Sequence, residues 1–275
     1  MMYKLIACDL DETLLKDDRT ISKENIEAIQ QAKKQGVKFV PATGRGFNTV
    51  DCTLKELNLY NLEDEYVISY NGGAITENKN HQLLYFKGIS FELASELYKR
   101  GLEYDVCIHV YTKTKVYAYR YTQEEIDYLA GRMEVIEIFD DHIDFLKDQE
   151  IVKVLYMNTD YSYLKQIEKE LKDITQNIDV SYSANRYIEF NHKNVNKGNG
   201  LVSLAKILHI PIEETIAIGD NLNDLSMIKA AGLGVGVQNA VENMKKDCDY
   251  ITKATNNDNA IAEVINQFIL NKKDA

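Results

Sequence analysis

Apolar runs without helical spacing, each ending in a polar cluster, recur near both ends of the chain, and this constrains it to buried strands covered by helices. The first run, residues 3–10, closes on Asp9, Asp11 and Glu12. Ser22 follows as a candidate N-cap, Ile26 and Ile29 stand at helical spacing, and Gly36 is a stop signal, which predicts a helix of about four turns. Residues 37–42 then read as a second strand. Strand, helix, strand with short connections argues for a right-handed crossover in a parallel α/β sheet. The same grammar returns late in the chain. It predicts a helix over 200–209, a buried strand over 215–218, a helix over 222–231, a strand over 233–237 and a closing helix over 260–270.

Between these blocks the texture changes. Partly alternating, tyrosine-rich stretches at 106–111, 115–119, 152–158, 180–183 and 187–190 read as strands, and helical patterns fall at 91–100, 123–133 and 161–172. The reading is an α+β insert, 82–189, inside an α/β core formed by 1–81 and 190–275. The insert carries 13 basic and 20 acidic residues, a poor receptor for a polyanion, which favours ligands with one or two phosphates.

Bulk properties exclude several classes. A net charge of −11 over 275 residues disfavours nucleic acid and anionic membrane as partners, leaving small anions held by local groups. Cys8, Cys52, Cys107 and Cys248 show no paired or zinc-like spacing, so reduced thiols in the cytoplasm are expected. The N-terminus turns acidic by position 9, too early for the apolar core of a signal peptide. Oligomeric state has no sequence signal.

Ligands of open α/β sheets bind at the carboxyl ends of the strands, and four polar clusters stand at such ends or at a helix start. Asp9 and Asp11 follow the first strand, where alternation would turn both to one side. Two carboxylates that close repel unless a cation intervenes, and magnesium, which prefers oxygen ligands, would resolve the conflict. Thr43-Gly44-Arg45 offers a hydroxyl and backbone N–H groups suited to phosphate. Lys197 opens a helix, where its ammonium and the helix N-terminus reinforce each other on an anion. Gly219-Asp220-Asn221-Leu222-Asn223-Asp224 supplies further oxygens for a cation. Each cluster alone also reads as a cap, a turn or a solvated lysine; their coincidence in one chain makes a metal and phosphate site.

Asp9-x-Asp11-x-Thr13, Thr43-Gly44-Arg45, Lys197-Gly198 and Gly219-Asp220-Asn221-x-Asn223-Asp224, in this order, resemble the four motifs of the haloacid dehalogenase superfamily of phosphohydrolases. The large insert, preceded by Tyr70-Asn71-Gly72-Gly73, resembles the Cof-type branch. The resemblance implies a Rossmann-like parallel-sheet core and an inserted α+β cap that closes over the site and selects the substrate. It implies a Mg²⁺-dependent phosphatase of small phosphorylated metabolites, with Asp9 as nucleophile forming an aspartyl phosphate and Asp11 as acid, then base. By the same resemblance, Leu10, Thr43, Gly44, Lys197 and Asn223 bind phosphate. Asp9, the Asp11 carbonyl and Asp220 bind metal, with Arg45, Asn71, Asn221 and Asp224 in support. A carboxylate is already ionised at neutral pH and so needs no separate base to attack. One position departs from the family pattern: Glu12 stands where glycine is usual, and it is expected to point away from the phosphate, toward the cap, and to disfavour acidic substrates.

Other signals carry less. The run Gly232-Leu233-Gly234-Val235-Gly236 has the wrong spacing for a dinucleotide fingerprint and forms a strand instead of following one. Tyr117, Tyr119 and Tyr121 fit a packed strand, and His109 and His192 have no ligand-spaced partner. A phosphomutase using the same intermediate and a low-turnover phospho-ligand sensor are the competing readings.

Overall fold

The computed structural model describes residues 3–270. The chain forms two compact units, one built from the chain through Phe86 and again from Asn196 onward, the other from Lys87–Val195. The first unit opens with β1 (Leu5–Cys8), α1 (Lys23–Lys34), β2 (Lys38–Pro41), α2 (Asp51–Glu56), β3 (Tyr66–Ser69), β4 (Ala74–Glu77) and β5 (Gln82–Phe86). The inserted unit contains α3 (Phe91–Gly101), β6 (Cys107–Thr112), β7 (Val116–Tyr119), α4 (Gln123–Leu129), β8 (Val135–Ile138), β9 (Ile151–Met157), α5 (Tyr161–Glu170), α6 (Lys172–Thr175), β10 (Asp179–Ser183) and β11 (Tyr187–Asn191). The chain then completes the first unit with α7 (Lys197–Ile207), β12 (Thr215–Gly219), α8 (Leu225–Ala230), β13 (Leu233–Gly236), α9 (Glu242–Lys245), β14 (Tyr250–Ile251) and α10 (Ala260–Phe268).

In the first unit a parallel sheet runs β14-β13-β12-β1-β2. β1 lies inside it, with Ala7 opposite Ala217 on one side and Val40 on the other. All four β1 residues are fully buried, which is why the strand is apolar without alternation. Helices supply the covering layers: Ile29 of α1, Leu201 and Leu204 of α7, and Ile261 and Ile265 of α10 join the strand residues in one core. Ser22 caps α1 by accepting the Asn25 amide at 3.2 Å, and Asn196 caps α7 by accepting the Asn199 amide at 2.9 Å. Each cap satisfies an otherwise orphan donor, worth roughly 1 kcal/mol.

The insert is built on a second sheet, β10-β11-β9-β6-β7-β8, antiparallel except between β7 and β8. One face carries Ile108, Val110, Val154, Tyr156, Ile188 and Phe190, packed with Leu97 of α3 and Ile167 of α5. On the other, His109, Lys153 and Glu189 are buried polar groups, and the Lys153 ammonium meets Glu189 at 2.5 Å. Glu125 of α4 accepts from the Tyr187 hydroxyl at 2.7 Å and from Arg186 at 2.8 Å. Burial, with Lys153 and Arg186 nearby, pushes His109 down to about 3, so it is a neutral core residue. Tyr117 is buried in the strand, as its spacing suggests.

Several boundaries differ from the sequence reading. The insert begins at Lys87, not 82, because β5 pairs with β4 in the first unit's three-stranded antiparallel sheet. It ends at Val195, not 189, because β11 pairs with β9 through Asn191. α4 stops at Leu129 instead of 133, where Ala130 takes ψ 124°. α8 starts at Leu225 instead of 222 because residues 221–224 are a turn, the Asp224 amide donating to the Asn221 carbonyl at 2.9 Å.

Candidate active site

Strand order brings three of the four polar clusters to one edge of the parallel sheet, since β12, β1 and β2 are neighbours and Asp220, Asp9 and Thr43 follow their carboxyl ends. The Asp9 amide donates to the Ile218 carbonyl at 2.9 Å, and the Ala42 amide to Cys8 at 2.8 Å, so the loops leave the sheet side by side. The fourth cluster comes from the first turn of α7. Lys197 is fully buried there, and its ammonium donates to Asp224 at 2.6 Å and also to Asp9.

Two glycines make this approach possible. A side chain at Gly198 would place its Cβ 2.3 Å from the Ser226 carbonyl, and one at Gly219 would meet Asp224 at 2.5 Å. Both are distances at which backbone or a buried carboxylate would have to move, so α7 and the β12 loop can close on the site only without a Cβ. The Gly198 amide also donates to the Ser226 hydroxyl at 3.0 Å.

The carboxylates divide into two groups. Ligand oxygens of Asp9, Asp220 and Asp224 lie within 4.8 Å of one another, and all three residues are buried. Both Asp224 oxygens are committed: Oδ1 to Lys197, Oδ2 to the amides of Asp220 at 3.0 Å and Asn221 at 3.1 Å. Asp224 therefore holds the ammonium and the loop in place, and Asp9 and Asp220 remain as the donors for a cation. The Thr13 hydroxyl donates to Asp220 Oδ1 at 2.7 Å and fixes its rotation. Asp11 stands apart from this group. Its half-exposed carboxylate is gripped by Arg45, whose Nε donates to Oδ2 at 2.9 Å and whose Nη2 reaches Oδ1. The repulsion expected between Asp9 and Asp11 is thus relieved by two different side-chain cations, Lys197 and Arg45.

Electrostatics at the centre are unbalanced. Burial raises Asp9 well above the usual carboxylate range, against the pull of Lys197 and with Asp224 and Asp220 adding to the rise. Burial and Asp224 push Asp220 up to about 7. Lys197 is held above the ordinary lysine value, because Asp224 and Asp9 outweigh the opposing effect of burial. One buried ammonium does not neutralise three clustered carboxylates, and an oxygen-only donor set of this charge fits a hard divalent cation.

The remaining predicted residues fall around this centre. Thr43 is buried, and its hydroxyl accepts the Arg45 amide at 3.1 Å. A Cβ at Gly44 would lie 3.2 Å from Asn71 Oδ1, so the buried Asn71 side chain sits directly against the second motif, where its amide also donates to the Thr43 carbonyl at 2.9 Å. Leu10 buries its side chain completely, leaving only its main chain for a phosphate. Asn221 is exposed, and its Oδ1 accepts the Leu222 amide at 2.8 Å. Asn223 is half-buried in the same loop. Glu12 takes φ +59°, the left-handed conformation that explains glycine at this position in relatives, and its carbonyl accepts from Asn239 at 2.8 Å. The sequence reading gave no role to Ser226 or Asn239. Neither stands in a recognisable pattern; only the tertiary contacts identify them.

The sequence matches the haloacid dehalogenase-like hydrolase family over residues 6–265. The chain belongs to this family. Similarity extends over the whole chain: a putative phosphatase of Bacillus subtilis, YxeH, is 32% identical over 272 residues, covering 98% of this chain and all of the relative. Another B. subtilis protein, the 5-amino-6-(5-phospho-D-ribitylamino)uracil phosphatase YcsE, is 30% identical over 267 residues, covering 97% and 96%. Among solved structures, a haloacid dehalogenase-like hydrolase from Bacteroides thetaiotaomicron is 32% identical and covers 96% of this chain and 99% of its own, with a TM-score of 0.84. The chain is accordingly an enzyme of the phosphatase branch of the haloacid dehalogenase family, with the Cof-type insert between its second and third motifs. Among the described residues no helix is long and apolar enough to cross a membrane.

Proposed function

We propose that this phosphatase hydrolyses a small phosphomonoester, a sugar phosphate or a related metabolite, with Mg²⁺, through an aspartyl phosphate on Asp9. The observation that carries the reading is the buried Asp9 carboxylate, tied to Lys197 and clustered with Asp220 and Asp224. A buried carboxylate whose proton affinity is raised becomes an effective nucleophile when a further cation offsets its charge, and the Asp9–Asp220 oxygen pair suits one. Asp9, Asp220 and the Asp11 carbonyl would hold Mg²⁺, which when bound supplies positive charge to the transferring phosphoryl group.

An Asp9 oxygen attacks phosphorus, the bond to the ester oxygen breaks, and Asp11 gives that oxygen a proton. Water then attacks the acyl phosphate, Asp11 takes up its proton, and inorganic phosphate leaves with Asp9 restored. Such acid–base help contributes roughly 10²- to 10⁴-fold. The Lys197 ammonium, the Thr43 hydroxyl, the Gly44 and Leu10 amides and Asn223 bind the phosphoryl oxygens, where charge is the main obstacle. The inserted unit, Lys87–Val195, is the source of substrate selection in this reading.

Phosphate release from p-nitrophenyl phosphate and a panel of phosphorylated metabolites, with Mg²⁺ or EDTA, tests it. Turnover is expected only with metal and is lost in Asp9→Asn. Metal-independent turnover, or an Asp9→Asn variant that keeps it, rejects the mechanism.

A further inference from the structure

The bidentate pair between Arg45 and Asp11 has little to do for stability. Both side chains are partly exposed, Asp11 at 56% and Arg45 at 30%, and ion pairs this open contribute about 0–1 kcal/mol. Its geometry is nevertheless specific. The guanidinium lies side-on, Nε on Oδ2 at 2.9 Å and Nη2 on Oδ1, so both carboxylate oxygens are engaged by one rigid fork. Arg45 is itself anchored at its backbone. Its amide donates to the Thr43 hydroxyl at 3.1 Å, and its carbonyl accepts the Tyr70 amide at 3.0 Å. The fork therefore springs from the loop that carries the phosphate-binding groups and ends on a carboxylate two residues from the nucleophile.

The surroundings show what the fork prevents. Asp9, Asp220 and Asp224 already form a carboxylate cluster from which Asp11 is absent. The segment that carries Asp11 turns sharply, with Asp11 at φ −72°, ψ 129° followed by Glu12 at φ +59°, and the side chain has few neighbours to fix its rotamer. Unrestrained, a carboxylate this close to a cation-seeking cluster has two competing destinations, solvent and the cation site. Neither lies beside a leaving-group oxygen.

Resting on the phosphatase mechanism above, we infer that Arg45 is a positioning residue: its guanidinium holds the Asp11 carboxylate out of the metal cluster, oriented toward the leaving-group side. The consequence is selective. An ester whose alcohol is a poor leaving group depends on a well-placed proton donor, whereas p-nitrophenolate departs without one. A residue that only gripped substrate phosphate would affect both esters alike, since the phosphoryl group is the same.

The test is kcat/KM for wild type, Arg45→Gln, Arg45→Lys, Asp11→Asn and the Arg45→Gln/Asp11→Asn double variant, on p-nitrophenyl phosphate and on the best alkyl phosphate of the metabolite panel. Thermal melts check folding. Arg45→Gln is expected to lose about tenfold or more on the alkyl ester relative to its loss on the aryl ester, part of the range that acid–base catalysis spans. Arg45→Lys, which cannot form the fork, should recover only part of that difference. The double variant should be no slower than Asp11→Asn, because two residues acting through one carboxylate are non-additive. Equal losses on both esters, no loss, or full additivity would overturn the inference. If Asp11→Asn itself shows no preference between the esters, the acid role of Asp11 fails, and that outcome is distinct from one in which Asp11→Asn discriminates and Arg45→Gln does not.

Discussion

Replacing Lys197 by methionine is the sharpest test of how this site is held together. The ammonium is fully buried and bonds two carboxylates, Asp224 at 2.6 Å and Asp9, both themselves buried. Methionine fills most of the same volume, so cavity formation is a minor contribution and loss of charge dominates. Removing one partner of a buried ionic network costs roughly 3–5 kcal/mol, because the partners left behind are uncompensated. For a chain of this size that corresponds to a fall in Tm of about 6–20 °C. Asp9 loses the interaction that opposes its raised proton affinity, so the deficit should shrink as pH falls from about 7 to 5 and the carboxylate takes up a proton. Urea denaturation of wild type and variant without metal, at several pH values, measures both effects. Adding Asp9→Asn to Lys197→Met should restore part of the stability by deleting one stranded charge. A Lys197→Met variant as stable as wild type at pH 7, or a double variant less stable than the single one, would refute the argument that buried charge balance holds this site.

Two further outcomes follow from the same geometry. The Asp220 carboxyl is held at about 7, above its unfolded value, so stability from its protonated form is full below about pH 4 and lost as pH rises through about 7. Metal-free protein should therefore lose up to about 4 kcal/mol across that window, and saturating Mg²⁺ or Asp220→Asn should flatten the slope in urea titrations against pH. Glu12→Gly relieves a left-handed residue at φ +59° and should gain roughly 0.5–1 kcal/mol in a thermal melt. It should also raise kcat/KM for acidic phosphate esters relative to neutral ones; an unchanged profile would remove any role for the Glu12 charge in substrate choice.

The sequence by itself determined the local grammar of this protein. Apolar runs marked the parallel strands because both faces of β1 are covered, Ser22 announced the start of α1, and the four polar clusters identified themselves by standing at strand ends. Asp9, Thr43, Lys197 and Asp220 were legible for that reason. Less legible were the strands β3 to β5, whose antiparallel pairing moved the insert boundary to Lys87, and the turn over residues 221–224, where one buried Asp224 carboxylate holds two amides in place of a longer helix. Only the tertiary structure decided which cation serves which carboxylate. Asp9 and Asp11 are two residues apart and alike in sequence, yet one is buried with Lys197, 188 residues away, and the other is exposed with Arg45, 34 residues away. Chain distance carries no information about such pairs, because strand order and the left-handed turn at Glu12 set where each side chain emerges.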